Sequence, residues 1–219
     1  FFNVNGLAET VGSLAGAGVI TNTGAAQTLT TGGDGTNTTF SGIITNQANA
    51  LGLTKTGAGT QTLTGANTYT GNTTINGGSL NVGSAETAGV SGPLGTKAAN
   101  AAGSVIFGGG TLQYSAANQN DYSGRFSTAA SQPVSIDTNG QNVTFATPLS
   151  STGGTLDKSG QPDLSLTPTA TYTGATTVTG GTLEATAGFN GTSGVTVSGT
   201  DTVLRGSGTI TGSTIIGTG

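Results

Sequence analysis

The chain contains no Cys, no His, no Met and no Trp, and it has only five Lys plus Arg against nine Asp plus Glu in 219 residues. Without cysteine there is no disulfide framework and no thiolate metal site, so stability has to come from hydrogen bonding and apolar burial. The same absence is compatible with export and equally with a cytosolic protein. Without histidine or cysteine there is no imidazole base, no thiol nucleophile and no Ser-His-Asp arrangement, which excludes most nucleophilic chemistry. A formal net charge of −4 argues against nucleic acid as a partner. The five cations, Lys55, Lys97, Arg125, Lys158 and Arg205, are scattered, and only a solenoid would gather any of them on one face. No apolar run approaches the length of a membrane span, and the opening FFNVNGLAET has neither the basic nor the continuous apolar part of a signal peptide. A sequence that begins on Phe1 is expected to be an internal or processed piece of a longer chain.

Gly and Thr dominate what is there, with 41 and 45 residues respectively. Thr is β-branched and favours strands, Gly and Asn favour turns, and strong helix formers are confined to a few Ala clusters. Apolar residues alternate with Thr, Ser or Asn for three to five residues before a Gly intervenes, as in TTING at 73 to 77 and GSLNVG at 78 to 83. That alternation marks a short strand with one buried face. Further strands are expected in 105–114, 133–137, 142–146, 194–199, 202–206 and 208–212. The segment 85–104, with Gly92 and Pro93, breaks the pattern and reads as a loop insert, with a short helical turn near Lys97 to Ala102 as a lesser option.

An internal repeat organises the chain. Residues 53–82 align without a gap on residues 156–185, with fourteen of thirty positions identical. The identities go beyond Thr and Gly: Leu53 matches Leu156, Lys55 matches Lys158, Leu63 matches Leu166, Tyr69 matches Tyr172 and Leu80 matches Leu183. The phrase Gly, then Thr or Ser, then Leu recurs at Gly78–Leu80, Gly110–Leu112, Gly154–Leu156 and Gly181–Leu183 at uneven steps. Uneven steps suit a β-helix whose coils share a core and differ in loop length. An antiparallel sandwich also gives many short strands, but its core usually draws on aromatics, and this chain has four Tyr and seven Phe. The expected architecture is all-β, a right-handed parallel β-helix of roughly ten coils forming a single segment over residues 1–219.

LTKTGAGTQTLTGANTYTG followed by NTTINGGSLNVG, at 53–83, resembles the passenger-associated transport repeat of bacterial autotransporters, also called the autotransporter-associated β-strand repeat. The copy at 156–185 is looser, with GQPDLSL and TPTATYTG at the turns. The resemblance implies a long extracellular β-helix secreted through a C-terminal outer-membrane barrel, with a repeat that assists folding and transport. No barrel segment is visible among these residues.

Candidates for chemistry are few. Asp121, Asp137, Asp157 and Asp163 lie within 43 residues, so neighbouring coils would be able to pair two carboxylates for polysaccharide cleavage; solvated loop positions are the plainer reading. GGDGTN at 32–37 has oxygen ligands among glycines but departs from the nonapeptide calcium repeat and reads as a turn. FGGG at 107–110 precedes a strand and has no P-loop Lys, and the sequons at Asn37, Asn72, Asn142 and Asn190 are expected by chance in a chain this rich in Asn and Thr. Thr-x-Thr pairs at 28–30, 54–56, 68–70, 171–173, 177–179 and 209–211 raise an ice-binding face, which needs equal spacing on one face. No catalytic, cofactor-binding or metal residue is nominated.

The sequence therefore points to a non-enzymatic rod or stalk, exported to the cell surface or medium. Loops such as 85–104 and 115–132 would be offered to host or matrix glycans or proteins. The competing reading is a filament of copies stacked end to end through unpaired β-helix edges, in place of a continuing parent chain. Ice binding and polysaccharide cleavage are the remaining alternatives.

Overall fold

The computed structural model describes residues 1–217 and is built from short strands whose ladders are all parallel. Ladder partners are 18 to 24 residues apart in sequence, except at Thr73↔Val105 and Ser79↔Thr111, where the spacing is 32. One ladder step is one coil, so the chain forms a parallel β-solenoid of about ten turns. The longer coil is the one that carries residues 83–104, which form no strand. Lys97 to Ala102 is a run of turns; the single helical element among the described residues is a 3-10 turn at Ser123–Arg125. The expected strand 105–114 is two strands, Val105–Phe107 and Thr111–Gln113, because Gly108 to Gly110 turn the chain from one sheet to the next.

Three sheets carry most of the coils, with nine, five and four strands. The nine-stranded sheet runs from Thr38–Phe40 to Ser213–Ile216, and at about 4.8 Å per strand it is roughly 40 Å long. Alternation in each strand sends one set of side chains inward, where they stack in columns. Leu80, Leu112, Ile136, Lys158, Val178 and Val197 follow one another down one column. The recurrent Gly-Thr/Ser-Leu phrase thus stacks Leu80 on Leu112 as expected. Leu156 instead stacks with Val134 in the adjacent column, and Leu183 lies in the four-stranded sheet.

That departure has a geometric cause. In the first half, the opening strand of each pair, such as Leu51–Lys55 or Thr73–Ile75, lies in the five-stranded sheet and the closing strand in the nine-stranded one. From Pro133–Asp137 onward the opening strand lies in the nine-stranded sheet and the closing strand in the four-stranded one. The pattern has advanced by one face around the axis, at the point where Thr111–Gln113 pairs with Pro133–Asp137. Residues 114–132 provide the extra length for the advance, and the core is filled there by bulk. Phe107, Phe126 and Phe145 meet edge to face at centroid distances of 5.0 and 5.3 Å. Five of the eleven aromatic residues fall between 107 and 145.

Candidate functional site

The most ordered chemistry in the molecule is inside the two repeats. Lys55 is fully buried, and its ammonium donates to the carbonyls of Thr56 at 2.5 Å, Gly57 at 3.1 Å and Gly77 at 3.1 Å. Lys158, also fully buried, donates to the carbonyls of Ser159 at 2.8 Å, Gly160 at 2.5 Å and Gly180 at 2.9 Å, and to the Thr138 hydroxyl at 3.0 Å. Each lysine thus ties the turn of its own coil to the turn of the next. Gly57 and Gly160 hold φ of 65° and 70°, which turns those carbonyls inward; a Cβ on Gly57 would in addition collide with the Gly32 carbonyl of the coil before. Burial lowers the pKa of both ammonium groups, that of Lys158 to about 8.

A second pair of contacts repeats in the same way. The Tyr69 hydroxyl meets Thr73 Oγ1 at 2.7 Å, and the Tyr172 hydroxyl meets Thr176 Oγ1. All four residues are buried, and burial raises the pKa of both phenols, so each stays a neutral partner of its threonine.

Residues 83–104 are fastened by charges. Arg125 donates to Glu86 Oε1 at 2.6 Å, to the Leu94 carbonyl at 2.5 Å and to Ser104 Oγ at 3.2 Å. The pair is buried, with side chains 1% and 3% exposed. Tyr122 donates to Glu86 Oε2 at 2.8 Å and receives a bond from Asn118 at 2.7 Å. Desolvation raises the Glu86 pKa against the opposing pull of Arg125. Pro93, Leu94 and Gly95 lie buried beneath these contacts, so the middle of this insert packs on the solenoid.

The carboxylates have separate surroundings. Asp121 accepts from the Ser123 backbone and hydroxyl and from the Ala146 backbone, and Asp137 accepts from Gln113 and the Asn139 backbone. Asp157 has Ser135 and Thr177 as its ladder neighbours, and Asp163 is ion-paired with Arg205 at 2.9 Å. Among the described residues no group of three or more His, Cys, Asp or Glu is placed to hold a metal ion. Asp34 in GGDGTN caps its own turn through the Thr36 backbone and hydroxyl, bonds that lower its pKa. Three of the five cations, Lys55, Arg125 and Lys158, are buried. The Thr-x-Thr pairs do not share one face: 28–30 and 54–56 lie at the five-stranded sheet, where Thr30 faces Thr54, but 177–179 lies at the nine-stranded sheet and 209–211 at a two-stranded one. Among the described residues no helix is long and apolar enough to cross a membrane.

Two cavities stand out. A small one of about 40 Å³ lies where the strand pattern advances by a face, among Phe126, Thr147, Leu149, Ser151 and Tyr172, and is large enough for a few waters. A recess of about 420 Å³ opens on the outer face of the five-stranded sheet, over Gly52 and Gly71, between Gln27, Thr28, Asn72, Thr74 and Ile106.

The matched lysines and tyrosines were visible in the sequence, but their burial was not. The Glu86–Arg125 pair joins residues 39 apart and carried no local signal.

Comparison with known proteins bears on the same two stretches. The family model described as passenger-associated-transport-repeat matches residues 53–82 and 156–185. Among curated proteins the chain is similar to the adhesin BmaC autotransporter of Brucella suis biovar 1 (strain 1330), with 42% identity over 76 residues, or 35% of this chain and 2% of that protein. No solved structure matches. The two stretches held by buried Lys and Tyr are the two that match the passenger-associated-transport-repeat, set in a β-solenoid that over part of its length is similar to a bacterial autotransporter.

Proposed function

We propose that this chain is a non-enzymatic structural and adhesive segment of a bacterial β-helix protein, exported and exposed at the cell surface, where it acts as a rod that carries binding surfaces. The observation behind this reading is the presence of two autotransporter-type repeats inside ladders that run the length of the described solenoid. A relative named as an adhesin supports the adhesive part. The absence of an imidazole or thiol from the sequence and the separate structural tasks of Asp121, Asp137 and Asp163 support the non-enzymatic part.

The test uses antibodies raised against the chain. Labelling of intact cells that make the parent protein, together with loss of adherence to host cells or matrix when the same antibodies are present, is the expected result. Labelling only after the cells are permeabilised would overturn it. A second reading is end-to-end assembly of separate copies through unpaired β-helix edges. Electron microscopy with denaturing mass measurement separates filaments of short chains from one long chain.

A further inference from the structure

In parts of the solenoid, polar side chains on the outer face satisfy one another from coil to coil. Asn81 donates to Gln113 at 2.8 Å and Gln113 to Asp137 at 2.8 Å; Thr111 meets Ser135 at 2.9 Å, and Thr45 meets Thr68 at 2.8 Å. In the five-stranded sheet one polar column is interrupted by a glycine. Thr28 faces Gly52 in the ladder, and Asn72 follows in the next coil, so the middle rung of this polar column has no side chain. Gln27, Thr28, Asn72 and Thr74 hydrogen-bond through their side chains to no other described residue, and together they border the recess over Gly52.

The second repeat shows what closes such a recess. The positions equivalent to Gly52 and Asn72 are Thr155 and Ala175, so there the missing rung is filled and the amide is gone. The glycine at 71 is required by the close approach of its backbone to Gly52, and it recurs as Gly174. A Cβ on Gly52 would be tight, 3.1 Å from the Asn72 carbonyl and 3.2 Å from the Thr28 hydroxyl, so a side chain enters there with a shift of a few tenths of an ångström in its neighbours.

The lining contains amides, hydroxyls, exposed backbone and apolar groups from Ala26, Ala50 and Ile106, and it contains no charged side chain. Anions would find no cation there, and a protein anchor would find no aromatic or arginine pocket. A ligand with many neutral hydroxyls and a modest C–H surface fits both the polarity and the open shape. We propose that this recess is a binding site for a neutral saccharide chain, a proposal that rests on the adhesive reading above and names its surface. With no aromatic platform a single site is weak, near 1 mM, and works through many copies of the receptor glycan.

The test is amide NMR on the isotopically labelled chain, titrated with cellohexaose, with chitohexaose and, for contrast, with a heparin hexasaccharide. Saturable shifts at Thr28, Gly52, Gly71 and Asn72 with one of the neutral probes are expected. Asn72→Ala, which alters only an exposed side chain, and Gly52→Thr, which copies the second repeat, should each weaken binding about tenfold. The reverse pair, Thr155→Gly with Ala175→Asn, should add shifts at the second repeat. Shifts with heparin alone, no saturable shift with either neutral probe, or binding unaffected by Asn72→Ala would overturn the proposal. Failure here leaves antibody labelling of intact cells unchanged, whereas failure of the surface reading abolishes that labelling whatever the saccharide result.

Discussion

The two repeats are the same object mounted on different faces. In the first, Leu51–Lys55 belongs to the five-stranded sheet; in the second, Thr155–Ser159 belongs to the nine-stranded sheet. Both keep a lysine bonded to three carbonyls and a tyrosine bonded to a threonine. What differs lies outside: the first repeat is followed by an insert locked by Glu86 and Arg125, and it carries the open column at Gly52, whereas the second has neither. Interior contacts are thus tied to the coil, and the outer features are tied to one copy. The repeat specifies how two coils join, and leaves the face on which they join to the chain between.

The largest effect should come from breaking what the copies do not share. Arg125→Met strands Glu86 in a buried site and should cost about 3–5 kcal/mol, with faster hydrogen exchange throughout residues 84–104 and little change near the second repeat. Next are the shared lysines: Lys55→Met and Lys158→Met each leave three turn carbonyls without a donor and should cost about 2–4 kcal/mol by urea unfolding. Similar losses in both copies would establish one clamp used twice. A large loss in only one would break the equivalence. Tyr69→Phe and Tyr172→Phe should cost about 1 kcal/mol each, read the same way.

The smallest effect is one of pH. The pKa of Lys158 is lowered in the folded chain from an ordinary 10.5 to about 8, so between these values the unfolded chain binds more protons than the folded one. Stability contributed at this position therefore rises as pH rises through that window. The stability of the chain relative to Lys158→Met should increase from pH 8 to 10.5, and a decrease would show that the carbonyl bonds to the ammonium outweigh its desolvation.

Much of the fold was legible because strand alternation and the offset copies are local patterns. The strands Pro133–Asp137 and Ser79–Val82 lie where apolar and polar residues alternate. The advance by one face was not legible, since a strand pair reads alike whichever sheet receives it. The buried lysines were matched but not placed inside, because their partners are backbone carbonyls and every residue has one. The recess escaped for a simpler reason: the aligned block begins at Leu53, and the informative difference, Gly52 against Thr155, lies one residue earlier.

The ladders have a mechanical consequence. Their hydrogen bonds point from coil to coil, along the axis, so a pull on a tethered rod loads those bonds lengthwise and detaches coils in sequence. Each coil of about twenty residues would release roughly 65 Å of slack as it opens. Lys55 and Lys158 each fasten two adjoining coils at the turn, at two heights along the rod. Under load the two repeats are therefore catches, at which extension halts before the next length is given up.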